Sequence, residues 1–322
     1  MSFFITNLKD ISTYRSELMG WSILWIMMLH FTFNQIAPLG FVAQYGFAGV
    51  DIFLFVSGFG LFFSLDNNND IGLFYKKRFL RIFPTYYIIG AITNILLTHD
   101  SFLTFLFRYS TIGFWIGKEY AEWFIPSIVI LYLFAPLVKM LIDKKRFIII
   151  SIITVGSFLT AYFITDKEYL IDRAHFFIIY RIPAFIFGMI CAYWIKNDKS
   201  LKYFIYVMLI GIPFFIYFYP SHHHIYNFKY FSLAFLLPLF VTIFILLSKH
   251  IKILSSLLRE MGKASLEIYL IQTIIFSAKI NKSLIIPPDW IDFSTVCFII
   301  LCSLLGIILH KLIDKSGIYQ LL

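Results

Sequence analysis

Charged residues are scarce in this chain of 322 residues. Only 14% are Asp, Glu, Lys or Arg, whereas 60% are hydrophobic and 20% are aromatic. A soluble domain carries about 25% charged residues, so the composition excludes that class and indicates an integral membrane protein whose partner is the lipid bilayer. Acidic residues are scarcer than basic ones, 18 against 27. In a membrane protein this excess reflects topology, and no nucleic-acid partner is expected.

Cysteine is also rare. Cys191, Cys297 and Cys302 lie in apolar stretches, which indicates neither a disulfide framework nor a metal site. Three adjacent histidines at 222–224 cannot all face one ion on a regular element, so a polar loop is predicted there and no metal is expected. A cleavable signal peptide, a repeat and a domain linker are all missing from the pattern. We therefore expect one domain over residues 1–322.

Apolar windows of about 20 residues recur along the chain, which is the length that crosses a bilayer as a helix. They predict an all-α membrane protein with about ten transmembrane helices. The predicted spans are Met19–Ile36, Tyr45–Leu65, Ile82–Leu97, Trp123–Ile142, Phe147–Thr165, His175–Ile195, Tyr203–Tyr219, Phe231–Leu247, Ala264–Phe276 and Phe293–Leu309.

Basic residues alternate between the connections of these spans. One set of connections, including both termini, holds 18 Lys and Arg, and the other set holds 7. The positive-inside rule then places both termini in the cytoplasm, as an even number of spans requires. The outer connection from Thr98 to Glu122 is aromatic and weakly charged, which predicts that it lies in the interface or re-enters the membrane. It is longer than the other connections, and a loop of that length is often a lid or a binding element. Its end, Glu122 and Trp123, is a candidate contact for a substrate.

Four polar side chains fall at a similar depth of separate predicted spans. His30 lies ~16 Å along a helix that starts at Met19, and Asp51, Arg181 and Gln272 lie in the same layer, ~6–9 Å below the outer surface. Ionisable groups at such depth face a bundle interior or a wet cavity and indicate a functional site. The alternatives are a His30 that only packs, a structural Asp51–Arg181 ion pair, and a Gln272 that joins two helices.

This layer offers proton transfer and charge stabilisation. A neutral imidazole at His30 could accept a proton from an attacking hydroxyl. Asp51 could fix its tautomer, and Arg181 could bind the acceptor or a developing oxyanion. We therefore predict His30, Asp51 and Arg181 as catalytic residues, and Gln272 as a further substrate contact.

A dense basic cluster lies at the opposite end of the spans. The stretch FYKKRFLRIFP places Lys76, Lys77, Arg78 and Arg81 just before the predicted third span, with Pro84 in its first turn. Ordinary positive-inside charge would explain most such loops. The density of this one also suits a phosphate-bearing ligand such as a nucleotide or coenzyme A, because Arg binds phosphate in a bidentate manner.

Several motifs in order resemble the acyltransferase-3 family of integral membrane O-acyltransferases. They are ELMGWSILWIMMLHF, GVDIFLFVSGFGL, FYKKRFLRIFP, WFIPSIVILYLFAPL, RIPAFIFGM and SLEIYLIQ. Two positions depart from the family pattern: Met19 stands where an arginine is common, with Arg15 one turn earlier, and Gln272 stands where a histidine is common.

The resemblance implies transfer of an acyl group, usually acetyl, from cytoplasmic acyl-CoA to a hydroxyl of a cell-surface polysaccharide or glycolipid. It implies His30 as the catalytic histidine and Lys77, Arg78 and Arg81 as contacts to the acyl-CoA co-substrate. It also implies a multi-pass protein of the plasma membrane. The two departures keep a second hypothesis open, a polysaccharide or glycolipid transporter on the same scaffold. A channel or sensor with buried polar pairs is a third.

Overall fold

The fold is described from a computed structural model, which covers residues 10–31, 39–68, 70–116, 123–165, 177–197, 209, 212–213, 228–280 and 291–318. In these ranges the regular structure is helical and contains no strand. The helices are α1 (Arg15–Phe31), α2 (Leu39–Ala43), α3 (Ala48–Asn67), α4 (Ile71–Thr93), α5 (Phe102–Tyr109), α6 (Ile112–Trp115), α7 (Phe124–Asp143), α8 (Phe147–Thr165), α9 (Phe177–Lys196), α10 (Phe228–His250), α11 (Lys252–Lys263), α12 (Ser265–Ile280) and α13 (Ile291–Lys315).

Five helices in the described ranges are long and apolar enough to cross a membrane. They are Ala48–Asn67, Ile71–Thr98, Phe124–Asp143, Ile178–Lys196 and Ser294–Lys315. Shorter apolar helices accompany them in α8, α10 and α12. The chain is therefore an all-α, multi-pass membrane protein. The predicted span Tyr203–Tyr219 lies almost wholly outside the described residues.

Helix α3 forms the centre of the bundle. Most of its side chains are buried, including Asp51, Phe55 and Phe59, and it packs against α1, α7, α9 and α10. A helix that is apolar on all sides is expected in such a position. Because α3 contacts so many neighbours, its polar side chains face other helices of the bundle rather than lipid.

The third span begins earlier than the sequence predicts. Helix α4 starts at Ile71, where the Asp70 carboxylate accepts a hydrogen bond of 2.9 Å from the Leu73 amide as an N-cap. The basic cluster is therefore helical, and Pro84 lies inside the helix rather than in its first turn. The prediction that the helix begins at Ile82 was wrong because the apolar window does not register a polar first turn with a good cap.

Helix α11 is amphipathic and packs closely on the first turns of α1. A Cβ on Gly262 would collide with the carbonyl oxygen of Ser16. The Arg259 guanidinium donates two hydrogen bonds, of 2.9 and 2.7 Å, to Oε1 of the buried Glu17. This helix was not predicted, because its three basic residues made the segment resemble a connection between spans.

The close approach of α11 to α1 gives a stability prediction. Gly262→Ala should lower the unfolding free energy by ~1–3 kcal/mol, because an extra methyl in a tightly packed contact forces backbone shifts. Gly156→Ala in α8 is the matched control: its Cβ would meet open space, and Ala favours the helix by ~1 kcal/mol. Thermal unfolding of both variants in one detergent is the measurement. Equal effects would contradict the close contact.

Candidate active site

Five cations converge on one cavity between α1, α4 and the junction of α11 with α12. We call it the basic cavity; its volume is about 310 Å³. Its cationic lining residues are Arg15, Lys77, Arg78, Arg81 and Lys263. Like charges are brought together at a cost, which an anionic ligand would offset. The cavity therefore has the electrostatics of a phosphate site.

Two of these arginines retain free donors. The Nε–H groups of Arg15 and Arg78 are buried and, within the described ranges, have no hydrogen-bond acceptor. Buried donors are normally paired, so these two point to a ligand. Arg78 also donates from Nη2 to the Ser64 hydroxyl at 2.7 Å. The Arg15 guanidinium lies against Gly60, where a Cβ would come within 2.7 Å of its Cζ.

Arg81 is held by a buried carboxylate. Its Nη1 donates to Oε1 of Glu267 at 3.0 Å, and its Nη2 donates to the carbonyl of Lys263 at 2.7 Å. Glu267 is fully buried, and His310 Nδ1 lies 3.1 Å from the same Oε1. This arrangement links α4, α12 and α13 and fixes the arginine at the cavity wall.

A second ion pair lies close to Lys263. Lys263 Nζ donates to Glu260 at 2.7 Å, and Lys311 Nζ lies 3.7 Å from the other oxygen of that carboxylate. The hydrogen bond from Lys263 lowers the pKa of Glu260, and partial burial of the carboxylate opposes this without reversing it. Glu260 is therefore ionised near neutral pH and partly offsets the cationic charge there.

His30 lines a second cavity of about 190 Å³, which we call the His30 cavity. Trp123, Tyr269 and Thr273 share this lining, as do Val50 and several other apolar side chains. The buried Gln272 side chain lies beside the His30 ring. A titratable imidazole therefore faces a small, mostly apolar space.

Asp51 and Arg181 are engaged with each other. Arg181 Nη1 donates to Oδ2 of the buried Asp51 and to the carbonyl of Phe47 at 3.3 Å. The pair joins α3 to α9 one residue from Val50 in the wall of the His30 cavity. Of the four residues predicted to share a layer, Gln272 thus lies beside His30, whereas Asp51 is bound to Arg181.

The basic cavity and the His30 cavity have common walls. Phe53, Phe124, Ser265 and Leu266 line both. Ser265 is the first residue of α12, so the positive end of that helix dipole lies at the junction. The cation-rich space is therefore directly adjacent to the space that contains the histidine.

Most residues predicted from sequence are found at one of the two cavities. Lys77, Arg78 and Arg81 line the basic cavity, and His30 and Trp123 line the His30 cavity. Glu122 lies outside the described residues. Arg15 and Met19 both line the basic cavity, so the guanidinium one turn earlier reaches the space where the family pattern expects an arginine.

Sequence reasoning missed Lys263, Glu267 and the rings that separate the cavities. Glu267 had a usable signal, because a carboxylate inside an apolar span is rare and indicates a site. Lys263 looked like ordinary loop charge, and Phe53 and Phe124 looked like ordinary core. Among the residues described, no group of three or more His, Cys, Asp or Glu could hold a metal ion.

Comparison with known proteins gives two matches. The acyltransferase-3 family model, described as an acyltransferase domain, matches residues 18–311. A protein of Acidianus two-tailed virus that carries an acetyltransferase name, ORF330, is 28% identical over 231 residues, covering 65% of this chain and 68% of the viral protein. No solved structure matches the chain.

The family match covers nearly the whole chain. It includes all lining residues of the His30 cavity and all those of the basic cavity except Arg15 and Ser16. An acyltransferase needs a base for the acceptor hydroxyl and a site for an activated acyl donor. His30 and the adjacent cationic space are chemically suited to these two tasks. The chain belongs to the acyltransferase-3 family of membrane acyltransferases.

Proposed function

We propose that the protein transfers an acyl group from acyl-CoA to a sugar hydroxyl of a surface polysaccharide or glycolipid. The observation that carries the proposal is the adjacency of the two cavities, with cations on one side of the shared wall and His30 on the other. The phosphates of coenzyme A would lie on Arg15, Lys77, Arg78 and Arg81. The thioester arm would then extend past Phe53 and Phe124 towards His30.

In this reaction a ring nitrogen of His30 takes the proton of the acceptor hydroxyl. The oxygen then forms a bond to the thioester carbonyl carbon, and the carbon–sulfur bond breaks. The departing thiolate receives the proton from the imidazolium, so atoms and charge balance. Gln272 would orient the ring, and the positive end of α12 at Ser265 would favour the oxyanion. The acceptor would approach from the side of Trp123 and the adjoining Glu122.

The proposal includes a membrane arrangement. We propose about ten spans in one domain, both termini in the cytoplasm, and the plasma membrane as the location. The basic cavity would then open to cytoplasmic acyl-CoA. Support comes from the distribution of basic residues between connections and from the position of the basic cavity at the Arg15 end of α1.

His30→Gln should lower acyl transfer ~100-fold or more, because a positioned general base contributes ~10²–10⁴-fold. The measurement uses purified protein in nanodiscs, labelled acetyl-CoA, and membrane glycans from the producing cells as acceptor. Coenzyme A affinity should not change. His250→Gln, on an exposed histidine, is the control and should keep full activity. Transfer that persists in His30→Gln would exclude the histidine as base.

Substitution of two adjacent lysines tests the proposed site for the acyl donor. Lys77 lines the basic cavity, whereas Lys76 is exposed. Lys77→Ala should raise the KM for acetyl-CoA about tenfold, since a hydrogen bond to a charged group contributes ~1.5–3 kcal/mol. Lys76→Ala should leave KM within twofold at the same ionic strength. An equal rise in both variants would indicate a diffuse surface field rather than a bound phosphate.

Substitutions in the Asp51–Arg181 pair distinguish a structural role of the pair from a direct role in the reaction. We propose that the pair positions the wall of the His30 cavity. Asp51→Leu and Arg181→Met should each lower stability by ~3–5 kcal/mol because each leaves a buried charge uncompensated, and the double variant should recover most of that loss. Thermal unfolding and acetyl transfer are both measured. A double variant that is stable but inactive would instead give Arg181 a direct part in the reaction.

A further inference from the structure

An aromatic collar lies in the wall that the two cavities share. Phe53 from α3 and Phe124 from α7 line both spaces, and their ring centroids lie 5.5 Å apart at an interplanar angle of 80°. Phe124 also packs against Tyr269 of α12, with centroids 5.1 Å apart. Leu266 of α12 is apolar and also lines both cavities. We call Phe53, Phe124, Leu266 and Tyr269 the collar.

The collar is held by three packed helices. Phe124 is the first residue of α7 and is only 7% exposed, and Tyr269 is 9% exposed. Edge-to-face ring contacts such as Phe53–Phe124 are favourable and have a defined geometry. Side chains packed from separate helices resist displacement, since a core transmits strain rather than absorbing it. The rings of the collar are therefore held in a fixed arrangement.

The space beyond the collar is small. The His30 cavity has a volume of about 190 Å³, below the ~300–1,000 Å³ of pockets that hold drug-sized ligands. Its walls are mainly apolar, with His30, Ser265 and Thr273 as polar exceptions. Such a space fits a short acyl group together with the reacting atoms of the thioester and the acceptor. A longer hydrocarbon chain would compete with the acceptor for the same space.

A larger apolar groove does not extend this space. It has a volume of about 500 Å³ and is lined on α1 by Trp21, Leu24, Trp25 and Met28. At 3.6 residues per turn these positions lie on the face of α1 opposite Ile23, Ile26 and His30. A long acyl chain that passed the collar could therefore not continue into the groove.

We infer that the collar selects the donor by acyl chain length, admitting acetyl and similarly short thioesters and excluding hexanoyl and longer ones. The inference rests on the proposed function, because it assumes that the donor's phosphates occupy the basic cavity. It assigns the selection of acyl chain length to Phe53 and Phe124, because a longer acyl chain would contact their rings first. Tyr269 limits the space from the His30 side.

The test measures affinity for coenzyme A, acetyl-CoA and hexanoyl-CoA with the protein in nanodiscs. Wild type should bind hexanoyl-CoA at least ~10-fold more weakly than acetyl-CoA, since one misplaced methylene alone changes discrimination by ~10–200-fold. Phe53→Ala should raise the relative affinity for hexanoyl-CoA about tenfold. Its affinities for coenzyme A and acetyl-CoA should change by the same factor, because both ligands share the phosphates and the arm that passes Phe53. The hexanoyl-to-acetyl ratio therefore reports on the acyl chain alone.

The matched control is Phe63→Ala. Phe63 is likewise a half-buried phenylalanine on α3, but it packs against Phe59 and Phe62 rather than at the collar. It should leave the hexanoyl-to-acetyl ratio as in wild type. Phe53→Leu, which keeps an apolar side chain and preserves folding better, should give a smaller shift in the same direction as Phe53→Ala.

The outcomes distinguish a failure of the proposed donor site from a failure of the length filter. If wild type binds none of the three ligands, the donor site proposed above is wrong and the collar inference fails with it. If all three bind equally well to wild type, the donor site stands and the length filter is overturned. A ratio that neither Phe53 variant moves, or that Phe63→Ala moves equally, also overturns the filter.

Discussion

The contact between Arg81 and the buried carboxylate of Glu267 holds the candidate active site together. It joins α4, which carries the basic cluster, to α12, whose first residues form the wall shared by the two cavities. A buried carboxylate is stable only when it is paired and hydrogen-bonded. Glu267 meets that condition with Arg81 and His310, and it thereby fixes how far the cations lie from the junction with the His30 cavity.

Charge compensation also explains why so many cations can gather there. Glu267 offsets Arg81, Glu260 offsets Lys263, and Ser64 accepts from Arg78. The Nε–H groups of Arg15 and Arg78 remain as free donors within the described residues. The protein thus neutralises part of the positive charge by itself and leaves the remainder for an anionic ligand, which is the balance that reversible binding requires.

The His30 cavity differs from the basic cavity in the polarity of its walls. Around His30 the walls are mostly aromatic and aliphatic, and Asp51 and Arg181 are not among the described residues that line them. Keeping the ion pair out of the cavity avoids charging the space where an acyl group must fit. The imidazole then works in a setting of low polarity, where hydrogen bonds and dipoles act more strongly than in water.

Much of the fold could be predicted from the sequence, because an apolar segment long enough to cross a bilayer as a helix is visible in the sequence itself. Phe147–Thr165 was predicted with the bounds that the structure gives, and the span near Tyr45–Leu65 is found as Ala48–Asn67. The early start of α4 and the amphipathic α11 were missed, since a capped polar turn and a basic helix both resemble loops in composition. The family prediction is confirmed by the match over residues 18–311.

The sequence by itself determined the class of protein and its family, and it indicated most of the apolar helices, because hydropathy and ordered motifs are properties of single segments. It also made His30 and the basic cluster candidates for the site. Only the tertiary structure decided that Arg15 reaches the basic cavity, that Gln272 lies beside His30 while Asp51 binds Arg181, and that Phe53 and Phe124 line both spaces. These facts depend on how helices distant in the chain rotate about their axes and pack. A rotation by one residue, about 100°, would turn any of these side chains away from its partner.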